Sequence, residues 1–152
     1  WAAAMKDARV LHDGPGTERV VYQSFDMPPL VSDRDTVYKY DLSWDGDRLR
    51  IWGSSVRHRR APKTIGIRSD LIIGRWYLKP LANQRTHLVA EVLMDPRGSL
   101  PAWVVNIVQR DYPADTINHI RKQARRSDVK PLQLPPRPDL NTRVNDKAAT
   151  DS

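Results

Sequence analysis

DPRGSLPAWVVNIV, residues 95–108, joins two stretches of different rhythm. Before it, THLVAEVLM (86–94) places Leu88, Ala90, Val92 and Met94 on one side and Glu91 on the other, the two-residue period of a strand with one buried face. After Asp-Pro-Arg-Gly the alternation stops and an apolar run begins that fits a helix from about Leu100 to Arg125. Pro101 suits its first turn, where a missing N–H is not needed. Pro113 falls inside it and deprives the Gln109 carbonyl of its usual donor, so a kink is expected there. Trp103, Val104, Ile107, Val108, Ile117 and Ile120 form the apolar stripe with which this helix would cover a partner. Gly98 and Pro101 turn the chain so that the helix folds back across the sheet it has just left.

Working outward, WAAAMKDARVLHDG (1–14) has helix-forming Ala and Met, apolar residues at positions 1, 5 and 8, and Gly14 as a stop; it predicts a short helix. ERVVYQSF predicts a strand. RDTVYKYDLSWDGDRLRIWGSSV predicts a strand pair around the hairpin signal Asp45-Gly46. Its first strand directs Thr36, Tyr38, Tyr40 and Leu42 one way, and Lys39 and Asp41 the other. RHRRAPK is a basic loop. IGIRSDLII and GRWYLKPL predict two further strands, the second with Trp76 and Leu78 opposed to Arg75 and Lys79. The expected class is α+β: a curved antiparallel sheet of about six strands around one long C-terminal helix. Residues 1–126 form this domain. Residues 127–152 are rich in proline and polar side chains without apolar periodicity, and predict an extended or disordered tail.

The 152 residues suffice for one core, no apolar run approaches the roughly 18 to 20 residues of a membrane span, and no cysteine is present to form disulfides or thiolate sites. A net charge of +7 favours anionic partners. The histidines at 12, 58, 87 and 119 lack metal-ligand spacing, GSS (53–55) lacks the frame of a nucleophile elbow, and GPG (14–16) is too short to cradle phosphate. The two carboxylates of DRD (33–35) flank an arginine and predict a structural ion-pair knot rather than acid–base chemistry. Charge concentrates in VRHRRAPK, but it sits in one loop, and Tyr38, Tyr40, Trp52 and Tyr77 fall mainly in phase with strand interiors. Nucleic acid is therefore not the expected partner. What remains is the apolar interior, either a filled core or a cleft of the kind that takes small ligands.

VSDRDTV and, more specifically, DPRGSLPAWVVN resemble the START domain, the lipid-transfer module related to the steroidogenic acute regulatory protein. The resemblance covers residues 1 to about 125 and is strongest to bacterial members. It implies a helix-grip fold enclosing a tunnel for one lipid or sterol, binding and transfer of a hydrophobic ligand, no catalysis and no cofactor. The residues expected to line the tunnel are Tyr38, Tyr40, Ile51, Trp76, Leu78, Ala90, Val92, Val104, Ile107 and Val108, with the Tyr hydroxyls or Arg68 fixing a polar head. Arg68 has the rival reading of a structural ion-pair partner. Arg57, Arg59, Arg60 and Lys63 are the expected contacts to an anionic membrane surface near the tunnel mouth. The acidic residue and arginine of sterol-carrying members align near Val21 and Tyr40, so that polar pair is missing here. Family members also have a helix and about three strands before the point matching Trp1, which predicts self-association if the chain starts at Trp1. Two rival functions remain open: a polyketide aromatase or cyclase working in the same tunnel, and an interaction domain with a filled core.

Overall fold

A computed structural model describes residues 5–14 and 17–138, without the side chains of Ile107 and Val108. Seven strands precede one helix: β1 (Met5–Asp13), β2 (Arg19–Phe25), β3 (Arg34–Asp45), β4 (Arg48–Ser55), β5 (Ile67–Arg68), β6 (Asp70–Leu81), β7 (Arg85–Asp95) and α1 (Ala102–Ala124). The sheet runs in the order β1-β2-β3-β4-β6-β7 with antiparallel neighbours, and β5 adds a short parallel pairing to β3. Hairpin connections make neighbours in sequence neighbours in space. At the β3–β4 turn Gly46 takes φ +61°, as the Asp-Gly signal requires.

The first departure from expectation is β1, a strand where the composition predicts a helix. Its alternation is broken by register shifts between Met5 and Asp7 and between Val10 and His12, so no clean two-residue period survives in the sequence. Pairing to β2 overrides the weak helical propensity, and Leu11 is the one residue of β1 that is buried. The second departure is at Gly74, which lies inside β6 and does not divide two strands. It sits opposite Gly53, and a Cβ there would come 2.9 Å from Leu71 Cδ2, so glycine marks a close approach. The division falls instead at buried Ser69, between β5 and β6.

The two faces of the sheet have different covers. Leu11, Val20, Tyr22 and Val37 form a core cluster on one face, with Val56 and Ala61 of the basic loop packed against it. The other face carries α1. The turn between β7 and α1 is built from DPRG: the Arg97 N–H donates to Asp95 Oδ1 at 2.8 Å, and Gly98 takes φ +64°. A Cβ at Gly98 would lie 2.8 Å from Ile67 Cδ1, so a side chain is excluded there on two counts. The helix begins after Pro101 and continues through Pro113 to Ala124, close to the predicted span.

Residues 127–138 contain neither strand nor helix, but they are not free. Trp44 Nε1 donates to the Pro135 carbonyl at 2.8 Å, and the Arg137 guanidinium lies 5.3 Å from the Trp44 ring centroid. This segment is thus held against the β3–β4 hairpin. The rest of the predicted tail, residues 139–152, lies outside the described residues, as do residues 1–4 of the predicted N-terminal helix.

The DRD carboxylates are structural, but not through the arginine between them: among the described residues Arg34 pairs with neither, and Asp35 takes Arg68, the rival reading of that residue. Asp35 is fully buried and accepts from Arg68 Nε at 2.6 Å, Arg68 Nη2 at 3.2 Å and the Ile65 N–H at 3.3 Å. Asp33 accepts the Met27 N–H at 3.0 Å. The hydrogen bond and charge of Asp35 raise the Arg68 pKa, against a smaller opposing effect of burial.

Candidate functional site

Between the sheet and α1 lies a cavity of about 650 Å³. Phe25 and Met27 close it at the β2 end; Trp76 on β6 and Leu88, Ala90, Val92 and Met94 on β7 form its floor. The register places Trp76 directly opposite Ala90, and these β7 residues are the four whose alternation assigns them to one face. The helix contributes Val105, Gln109, Tyr112, Pro113, Thr116 and Ile117, the i, i+4, i+7, i+8, i+11, i+12 positions of one helical face. Val105 to Ile117 spans about 18 Å at 1.5 Å per residue, so the cavity is elongated along the helix. Its β7 wall is open to solvent, with Val92 44% exposed.

Sequence reasoning places the helix face about one residue out of phase. Val104 is almost fully buried but does not line the cavity; Val105 does. Trp103 is half exposed and Ile120 partly so, although both belong to the predicted apolar stripe. The error has a clear origin: the true face carries Gln109, Tyr112 and Thr116, polar side chains that an apolar stripe does not include. Ile107 and Val108 fall outside the described side chains. Pro113 cannot donate to the Gln109 carbonyl, and both residues face the cavity, so the helix presents a polar notch there. The Thr116 hydroxyl is buried without a partner among the described residues.

Of the other predicted lining residues, Trp76, Ala90 and Val92 are present. Tyr40 is opposite Gly53, and Ile51 is opposite Trp76, so both share the cavity's sheet face but lie farther across it, outside the lining. Tyr38 and Leu78 share that face by the same pairing and are likewise outside. Burial pushes the Tyr38 hydroxyl up to about 12, with Tyr40 and Tyr112 adding to the shift; the Tyr38 and Tyr40 rings stand 6.3 Å apart.

Arg68 does not reach the cavity. Strand neighbours point to opposite faces, and Asp35, which holds Arg68, faces the side of Tyr22 and Val37. The arginine at the cavity is Arg34, opposite Phe25 in the β2–β3 register. It is 4% exposed. Its Nε donates to the Pro96 carbonyl at 3.4 Å, its Nη2 to the Arg97 carbonyl at 3.2 Å, and its Nη1 to the Ser32 carbonyl. Burial lowers its pKa. Arg34 has the same strand phase as Thr36, Tyr38 and Tyr40, so its direction is legible in the sequence; reading DRD as one knot conceals it.

The basic loop lies on the other face. Arg57, Arg59 and Lys63 are exposed, while Arg60 donates from Nη1 to the Leu11 carbonyl at 3.2 Å. Arg57, His58 and Ala61 line a separate, polar cavity of about 570 Å³ with Arg68, Asp70 and Arg97. The loop therefore does not form the mouth of the large cavity. Among the described residues no group of His, Asp or Glu side chains is placed to hold a metal ion, and no helix is long and apolar enough to cross a membrane.

Comparison with known proteins agrees with this architecture. The family model described as "START domain" matches residues 1–129. An uncharacterized protein of Pseudomonas aeruginosa is 28% identical over 130 residues, covering 82% of this chain and 61% of that protein. Among solved structures, a STAR-related lipid transfer protein from Xanthomonas axonopodis superposes with a TM-score of 0.69 at 24% identity, covering 83% of this chain and 71% of the other. Human STARD10 gives a TM-score of 0.69 at 21% identity, covering 80% and 50%. Human StAR-related lipid transfer protein 5 gives 0.63 at 21%, covering 80% and 59%. The chain thus spans only about half to three-fifths of several of its relatives. With an antiparallel sheet, a C-terminal helix laid across it and a family model matched over most of its length, the chain belongs to the START domain family and has its helix-grip fold.

Proposed function

We propose that this chain binds and transfers a hydrophobic ligand, a lipid, held between the sheet and α1. The observation that carries the reading is the elongated, mainly apolar cavity of about 650 Å³ at that place, within the volume range of small-molecule sites. Affinity would come from apolar ligand surface removed from water, about 25 cal/mol per Å² before the costs of ordering. Among the described residues the lining contains no carboxylate and no imidazole, and its proton-exchanging groups are the Tyr112 phenol and the Ser69 and Thr116 hydroxyls, which favours binding over a cyclase-like reaction. Native mass spectrometry of the purified chain tests the reading directly. Retained lipid, released on denaturation, is expected; a chain that retains none and takes none up from vesicles overturns it.

We further propose that Arg57 and Arg59 meet anionic membranes, each contributing about 1 kcal/mol near such a surface. The double variant Arg57→Gln/Arg59→Gln, which leaves the Arg60–Leu11 bond in place, is expected to bind phosphatidylserine-containing vesicles more weakly and with a flatter salt dependence. Unchanged binding to those vesicles rules the contact out.

A third proposal concerns association. Among the described residues β7 pairs with β6 alone, and it exposes Val89, Leu93 and Met94 as well as Val92. Such an edge is a template for another strand. The 152-residue chain on its own is expected to self-associate through β7. Sedimentation velocity showing a monomer over a wide concentration range refutes this.

A further inference from the structure

Among the described residues, nothing on its face of the sheet cancels the charge of Arg34. Its chain neighbour Asp35 cannot reach it, because adjacent residues of a strand point to opposite faces. That carboxylate is committed to Arg68 on the far side. The other nearby acids are engaged elsewhere: Asp33 lies 3.8 Å from Lys6 Nζ, and Asp70 pairs with Arg97. Among the described residues, no carboxylate lies within ion-pair distance of Arg34. Its three acceptors are neutral backbone carbonyls. They orient the guanidinium and satisfy three of its five N–H groups, but they leave its unit charge in place. A buried cation without a counter-charge is costly, and an apolar wall makes it more so. Phe25 stands opposite Arg34 in the β2–β3 register, and the cavity it shares is lined mainly by apolar side chains.

We propose, on the ligand-binding reading above, that Arg34 anchors an anionic head group, so that the ligand is an amphiphile bearing a carboxylate or a phosphate, with its chain laid along α1. The two remaining N–H groups of the guanidinium form charge-assisted hydrogen bonds to the head, and the ligand supplies the negative charge that the protein lacks at this point. The head lies at the end of the cavity defined by Phe25 and the Pro96–Arg97 turn. The chain then runs over Trp76 and Ala90 towards Ile117. Uncharged amphiphiles fill the same apolar space but leave the cation uncompensated.

Calorimetric titration with decanoate, decyl phosphate, decan-1-ol and decyltrimethylammonium tests this. The unmodified protein is expected to bind at least one of the two anions roughly tenfold more tightly than the alcohol, which corresponds to about 1.4 kcal/mol, and the ammonium ion most weakly. Decanoate against decyl phosphate distinguishes a fatty-acid head from a phosphate head. Arg34→Met is expected to abolish the preference while keeping alcohol binding, and Arg34→Lys to keep a reduced preference. Equal affinity for alcohol and anions in the unmodified protein overturns the proposal and leaves the lipid-binding reading intact. A folded Arg34→Met that retains the preference overturns the assignment to this residue. Binding of none of the four probes sinks both readings. If Arg34→Met does not fold, the head-group series on the unmodified protein together with Arg34→Lys still decides.

Discussion

Asp35→Ala is expected to lower the unfolding free energy by about 3 to 5 kcal/mol, the usual cost of removing one partner from a buried ion pair. Asp35 has no exposed surface and accepts three hydrogen bonds from Arg68 and the Ile65 N–H. Removing it strands the Arg68 guanidinium, which is one-third exposed and keeps only its bond to the Pro62 carbonyl. It also frees the segment that brings β5 alongside β3. The partial exposure of Arg68 favours the lower end of the range. The double variant Asp35→Ala/Arg68→Met is expected to lose less than Asp35→Ala alone, because it leaves no uncompensated charge. Urea unfolding followed by far-UV circular dichroism gives both values. A loss below about 1 kcal/mol for Asp35→Ala would mean that the pair behaves as a solvated surface contact.

Ala90→Trp is expected to reduce lipid uptake by roughly tenfold or more, since each 1.4 kcal/mol of lost apolar contact is a factor of ten in affinity. Ala90 stands opposite Trp76 on the cavity floor. An indole at position 90 would occupy space between the sheet and α1 without displacing the cluster of Leu11, Val20, Tyr22 and Val37 on the other face. The unfolding midpoint should therefore change little. Lipid retained in native mass spectra and the binding of an apolar fluorophore are the measurements. If this region were a filled core, the same change would overpack it and cost about 1 to 3 kcal/mol of stability. A folded variant with undiminished uptake would place the ligand elsewhere.

These two expectations draw on different levels of information. The β7 face of Leu88, Ala90, Val92 and Met94 is legible in the chain once a strand is accepted, because the opposite face carries His87 and Glu91 along with Val89 and Leu93. The DPRG turn and the long helix after it are equally legible: glycine at a positive φ and proline at a helix start are local requirements. The DRD charge cluster marks a structural site in the sequence but does not name its partner, since Asp35 pairs with Arg68, 33 residues away.

The remainder depends on contacts between residues distant in the chain. Whether Met5–Asp13 is helix or strand is decided by β2, since two register shifts remove the period that would have declared it. Whether Gly74 breaks a strand or permits a close approach is decided by Leu71 and Gly53. Which helix face meets the sheet is decided by docking: a single stripe is prescribed only when one face alone is apolar, and α1 has apolar residues on several. Which arginine faces the cavity is decided by strand parity together with the position of Arg68. In the sequence Arg34 is the neighbour of Asp35 and Arg68 lies 33 residues away, whereas the folded sheet gives the acid to Arg68 on one face and leaves Arg34 on the other. Local rules act within a few residues and so are written in the sequence; the pairing of faces, and hence the charge left at the cavity, exists only after distant strands have met.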